Sequence, residues 1–126
     1  MLINHGPNRT EIQLLNLKIF VSYQTPVAMF DKQLKKVFIT TTKYSTTTTR
    51  HINKWIKYLM ENETLRSKEE SPNSYGSVSE ATLRKLFDLT FAGNKVTLDI
   101  NEEGEPNINP ASEAKLKDRM YYILEE

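Results

Sequence analysis

The chain has 126 residues, 38% of them apolar, and a formal net charge of +1. That length fits one domain around a single core, spanning 1–126, and the absence of cysteine excludes a disulfide framework or a thiolate metal site. No apolar run approaches the roughly 20 residues of a membrane span, and the start MLINHGPNRTE lacks the basic and apolar regions of a secretory leader. The expectation is therefore a cytoplasmic protein with no membrane partner and no cofactor.

In chain order, the residues before Thr10, His5 among them, read as a frayed terminus. TEIQLLNLKIFVSY (Thr10–Tyr23) is rich in β-branched and aromatic residues, and Asn16 is a candidate hairpin turn within it. Leu17, Ile19, Val21 and Tyr23 alternate with Lys18, Phe20 and Ser22, the period of a strand. VAMFD (Val27–Asp31) is a further strand, with Pro26 at its start or in a bulge. DKQLKK is a polar turn, and KVFITTT (Lys36–Thr42) completes the strands of this half.

Between Thr40 and Thr49, eight of ten residues are Thr or Ser. The threonines end a strand, because β-branched side chains suit a pleated surface. Ser45–Thr48 then supply N-cap candidates. From about Thr47 a helical period takes over, with Ile52, Trp55, Ile56 and Leu59 on one apolar stripe. Trp55 is expected in the core. Arg50, Lys54 and Lys57 share the opposite face.

Residues 61–77 read as a polar loop. Ser77 and Glu80 have capping-box spacing. The helix they open runs to about Ala92, with Leu83, Leu86, Phe87 and Phe91 inward and Gly93 ending it. Lys95–Ile100 alternates as a strand, and NEEGEPNIN is a turn. Asn109 and Pro110 open a last helix with Leu116, Met120, Ile123 and Leu124 on one side. The fold class is α+β: an N-terminal antiparallel sheet of 3–4 strands followed by a helix, then helix-strand-helix.

Charge divides along this organisation. The basic, strand-rich part with the first helix (1–60) holds nine Lys/Arg against two Asp/Glu, a net +7. Residues 61–126, the loop plus the acidic helix-strand-helix part (78–126), hold eight against fourteen, a net −6. Either the two halves attract each other within the fold, or the basic half meets a polyanion.

Catalysis finds little support. His51 lies close in sequence to many hydroxyls but to no carboxylate that would orient its ring, so packing or capping is its expected role. The only other histidine is His5, and two histidines without cysteine do not make a zinc site. Asp99–Gly104 matches the start of a calcium loop, but its twelfth position is Pro110 where a bidentate acid is required. The basic face is the stronger signal. Lys43, Arg50, Lys54 and Lys57 are placed to track phosphates, with Tyr44, His51 and Tyr58 available for stacking. Lys32, Lys35 and Lys36 would broaden the patch. The alternative is a solvated helix face.

Two blocks in this half carry a resemblance. Ser22, Tyr23, Thr25, Pro26, Val27 and Ala28 fit S-Y-x-T-P-V-A. Tyr44, Ser45, Thr47, Thr48, His51, Ile52 and Asn53 fit Y-S-x-T-T-x-x-H-I-N. Together they resemble a module of small uncharacterised bacteriophage proteins, similar to the N-terminal module of some anti-CRISPR proteins, over about residues 10–58. The resemblance implies a non-catalytic phage-type binding protein that interferes with a host function. Its partner would be a host protein, with a nucleic-acid-guided nuclease in first place. The alternative is a DNA- or RNA-binding regulatory protein acting through the basic N-terminal half. Ser22, Tyr44, Thr47, Thr48, His51 and Asn53 either knit the strand-to-helix junction or form a shared recognition surface. The acidic half could instead occupy a nucleic-acid channel of a target.

Overall fold

The computed structural model describes residues 1–92, 96–100 and 106–110. Five strands follow one another: β1 (Leu2–Gly6), β2 (Arg9–Gln13), β3 (Leu17–Ser22), β4 (Thr25–Asp31) and β5 (Lys36–Thr40). Helix α1 (Thr46–Asn62), β6 (Tyr75–Val78), α2 (Glu80–Phe91), β7 (Val96–Ile100) and β8 (Pro106–Pro110) complete the described elements. The first six strands form one sheet in sequence order, and β7 pairs with β8 in a separate two-stranded sheet. The class is α+β, with an N-terminal sheet followed by a helix.

The main sheet is antiparallel from β1 to β5, and β6 adds to β5 in parallel. A parallel neighbour needs a crossover connection, and α1 supplies it. All of this strand but Val78 lies in the segment expected to be a loop, residues 61–77. Tyr75–Val78 is too short and polar to announce itself, and its place is set by β5. Gly76 permits that pairing, because a Cβ there would come within 2.9 Å of the Phe38 ring.

The N-terminus is not frayed: β1 pairs with β2 through a turn at Pro7 and Asn8. Asn8 adopts φ 60° there, a conformation Asn tolerates better than most residues. Two further expectations are corrected near the second helix. The N-cap of α2 is Ser79, which accepts a bond from the Thr82 N–H at 3.1 Å, rather than Ser77. Pro106–Pro110, most of which falls in the expected turn, pairs with β7 as a strand. The residues of the expected last helix beyond Pro110, like Gly93, lie outside the described residues.

The sheet has two covered faces. On one, Leu14, Ile19, Met29 and Phe38 pack with Leu83 and Leu86 of α2 and with Ile108 of β8. On the other, Phe20, Ala28, Phe30 and Val37 pack with Ile52, Trp55 and Leu59 of α1 and with Leu65 beyond it. Trp55 is core, as its place in the stripe predicts. A register slip helps to shape this second face: Phe20 pairs with Ala28 but Val21 pairs with Pro26, which leaves Val27 as the bulged residue.

Candidate binding site

The Thr/Ser run acts as a junction. Ser45 caps α1, accepting from the Thr48 N–H at 3.2 Å. Its hydroxyl donates to Thr48 Oγ1 at 3.3 Å. Thr48 Oγ1 is 3.4 Å from Ser22 Oγ, which is 2.9 Å from His51 Nδ1. Ser22 and Thr48 are both buried. A single direction gives each hydroxyl one donated bond: Ser45 to Thr48, Thr48 to Ser22, Ser22 to His51 Nδ1. It leaves His51 with its proton on Nε2.

The turn beside this chain is unusual. Tyr23 and Gln24 connect β3 to β4, and Tyr23 has φ 58°. A bulky residue with positive φ is a genuine outlier, and such residues cluster at functional sites. The Tyr23 N–H bonds to Asn8 O at 2.8 Å, so the β1–β2 and β3–β4 turns lie side by side. The Tyr23 ring is 51% exposed and sits 5.8 Å from the His51 ring, tilted by 37°. Alternation along Leu17–Val21 places Tyr23 on an inward strand face; the chain instead turns at that residue.

Arg9 stands opposite Ser22 on β2, and its guanidinium lies over Gly6, where a Cβ would have to displace it. With Lys54 it borders a small cleft of about 40 Å³, completed by His5, Phe20, His51 and Trp55. The Phe20 and Trp55 rings stack at 5.0 Å and are both buried. Burial first, then the charges of Arg9, Lys54 and Arg50, hold the His51 imidazole below its ordinary pKa. Its neutral form therefore prevails at pH 7. Among the described residues, Arg9, Arg50, Lys54 and Lys57 make no ion pair.

Beneath the rings lies a buried ionic network. The Trp55 Nε1–H donates to Glu11 Oε1 at 2.7 Å, and Gln13 Nε2 donates to Oε2 at 2.8 Å. Lys18 Nζ is 3.4 Å from Glu11 and 3.1 Å from Glu63, with Glu11 and Lys18 almost fully buried. His5 Nε2 approaches Glu11 at 3.3 Å. Burial opposes the Glu11 charge, but the bonds from Trp55 and Gln13 and the Lys18 and His5 charges outweigh it and lower the pKa. Burial opposes the Lys18 charge too, and Glu11 and Glu63 outweigh it and raise that pKa.

Arg50, His51 and Lys54 thus come together with Arg9. Lys57 continues the exposed face one turn on. Tyr58 is half-buried, edge-on to His5 at 4.6 Å and with Lys18 Nζ 5.3 Å from its ring centre. Lys43 and Tyr44 lie on the other flank of α1, along a groove of about 260 Å³ shared with Thr48, Thr49 and Asn53. This adjoins a wider groove of about 570 Å³ between α1 and β6, lined by Ile56, Met60 and Tyr75 among others. Burial and Glu80 push the Tyr44 hydroxyl up in pKa. Sequence reasoning missed Arg9, His5, Tyr23 and Glu11. The basic surplus marked Arg9 only as one cation among nine.

The fold and the cleft define an α+β protein with a basic, aromatic-edged recess between a sheet and its crossover helix. The chain belongs to a family of unknown function, DUF8033, whose model matches residues 2–72. No curated protein and no solved structure matches it. The family segment covers β1 to β5 and all of α1, hence every residue of the cleft.

Proposed function

We propose that this is a non-catalytic binding protein of phage type, which presents the α1 face to a polyanion and so interferes with a host function. A nucleic-acid-guided nuclease defence is the setting that the sequence resemblance implies. The observation that carries the reading is the set of cations without acidic partners among the described residues, Arg9, Arg50, Lys54 and Lys57, ranged along one helix and the adjoining strand. Such cations cost little on a surface and become favourable when they displace counterions from phosphates. The absence of catalysis in this reading rests on the Ser22–His51 pair. Ser22 is buried, and the imidazole nitrogen bonded to it is the one that a triad would give to a carboxylate.

A regulatory DNA- or RNA-binding role is the second reading, favoured by the exposed Tyr23 ring, which offers a stacking platform beside the cations. The test of polyanion binding is fluorescence anisotropy with single-stranded DNA over a salt series. Three phosphate contacts predict a slope of log K against log salt of about −2. Replacing Arg50, Lys54 and Lys57 with Gln should flatten it, and a wild-type slope near zero overturns the reading. Expression in a host armed with a guided nuclease separates the two roles: interference predicts loss of restriction, and regulation leaves restriction intact.

A further inference from the structure

The cleft beside His51 has features that a plain basic surface lacks. It is small, and the buried, stacked Phe20 and Trp55 rings line it. At roughly 10–15 Å³ for each water, a volume of about 40 Å³ holds about three waters, the number that three phosphate oxygens would displace. A recess of so small a volume suits a single phosphate with three free oxygens. A backbone diester would have to enter and leave again. Donors of several kinds border it. Arg9 supplies a fork that matches phosphate geometry, Lys54 a point charge, and His51 an Nε2–H fixed by the hydroxyl chain behind it. Glu11, the carboxylate behind the rings, is already held by Trp55, Gln13 and Lys18. At the outer edge, Tyr23 keeps a strained left-handed backbone and half-exposes its ring against His51.

We propose that the cleft bounded by Arg9, His51 and Lys54 is a site for one terminal phosphate, and that Tyr23 stacks on the nucleobase attached to it. The ligand class is a phosphorylated nucleotide, free or at the end of a strand. This rests on the polyanion reading for its biological setting but makes a separate demand: the end group, and not the length of the polymer, sets affinity. His51 serves as a neutral donor, facing Arg9 from β2, His5 from β1, Tyr23 from the turn, and Arg50 and Lys54 from its own helix. A bound dianion stabilises its protonated form, so its titration moves to higher pH on binding.

The experiment uses the full chain and short oligonucleotides that carry a 5′ phosphate, a 3′ phosphate or only hydroxyl ends, with inorganic phosphate as a separate probe. Affinity is read by anisotropy and the His51 ring by NMR. One phosphorylated end should bind at least about tenfold tighter than the hydroxyl form. Inorganic phosphate should compete and shift the His51 ring signals. Arg9→Gln should abolish the preference. Lys54→Gln, at an exposed helix position, does the same without touching the packing over Gly6. Tyr23→Leu should weaken the phosphorylated oligonucleotide about tenfold and leave inorganic phosphate unaffected. Equal affinity for phosphorylated and hydroxyl ends, with His51 unmoved, overturns the site while the polyanion reading stands. If inorganic phosphate moves His51 but no oligonucleotide binds, the nucleotide assignment falls together with the polyanion reading.

Discussion

The two faces of the main sheet bury comparable side chains by different means. The α2 face is mainly aliphatic and aromatic: Ile19, Met29, Leu83 and Leu86 need only fit, although Thr90 of α2 is buried as well. The α1 face adds to its apolar residues Glu11, Lys18, Ser22 and Thr48, all buried and all bonded. Apolar packing tolerates substitution of similar volume, whereas a buried polar network fixes one arrangement and fails when a partner is removed. The face with the more specified interior is also the one that carries the cleft. The contrast suggests that the network serves to hold Trp55 and α1 in register with β2 and β3, where Arg9 and Tyr23 stand.

That contrast can be broken most forcefully at Glu11. Glu11→Ala leaves the Trp55 N–H and part of the Lys18 charge buried without a partner, and should cost about 3–5 kcal/mol in chemical denaturation. It should also alter the pH dependence. A carboxylate whose folded pKa is lowered contributes stability that is present above its unfolded value of 4.5 and is lost as pH falls through the folded value. Lys18, raised in the fold, contributes stability below 10.5 that is lost as pH climbs through its folded value. The wild type should therefore weaken at both extremes, and Glu11→Ala should flatten both limbs. An unchanged acid limb would show that Glu11 does not titrate with folding.

On the other face, Leu86→Ala should cost about 2–5 kcal/mol, depending on how far the cavity collapses. Leu86→Met should cost less than about 1.5 kcal/mol. Glu11→Gln conserves volume in the same way, yet it should cost more than Leu86→Met, because it removes the charge opposite Lys18. If the two volume-conserving changes cost the same, the faces do not differ in the way described.

Tyr23→Gly should stabilise the fold by about 1 kcal/mol, since a left-handed residue with a Cβ carries roughly 1–2 kcal/mol of strain and Gly gives some of it back in chain entropy. Loss of stability instead would mean that the ring, and not the ligand, justifies the strained turn. The smallest expected effect on the fold is that of Arg50, Lys54 and Lys57 replaced together by Gln. Their stability should stay within about 0.5 kcal/mol of wild type for each change, because all three are exposed and unpaired among the described residues. A larger loss would place these side chains in the packing of α1.

Much of the α1 face is legible in the sequence, and the reasons are local. The stripe Ile52, Trp55, Ile56 and Leu59 repeats at the helical period, and Ser45 precedes it as a cap should. Strands β3 to β5 alternate or run apolar. What escapes is set by partners distant in the chain. Glu11 and Lys18 look like surface residues until β2 and β3 place them under a helix that brings Trp55. Tyr75–Val78 becomes a strand only because β5 has a free edge. Arg9 and His51 are 42 positions apart in the chain, and only the pairing of Arg9 with Ser22 brings them to one cleft.

The parallel strand β6 has a consequence for how this chain can be cut. The family match ends at residue 72, three residues before β6 begins. A fragment stopped there would keep the whole cleft, yet it would leave the β5 edge as an unpaired template and strip the α2 cover from Phe38 and Met29. Open edges of this kind recruit strands from other molecules. A fragment confined to the family segment should therefore self-associate more readily than the full chain, because the four-residue strand that covers the β5 edge lies beyond that segment.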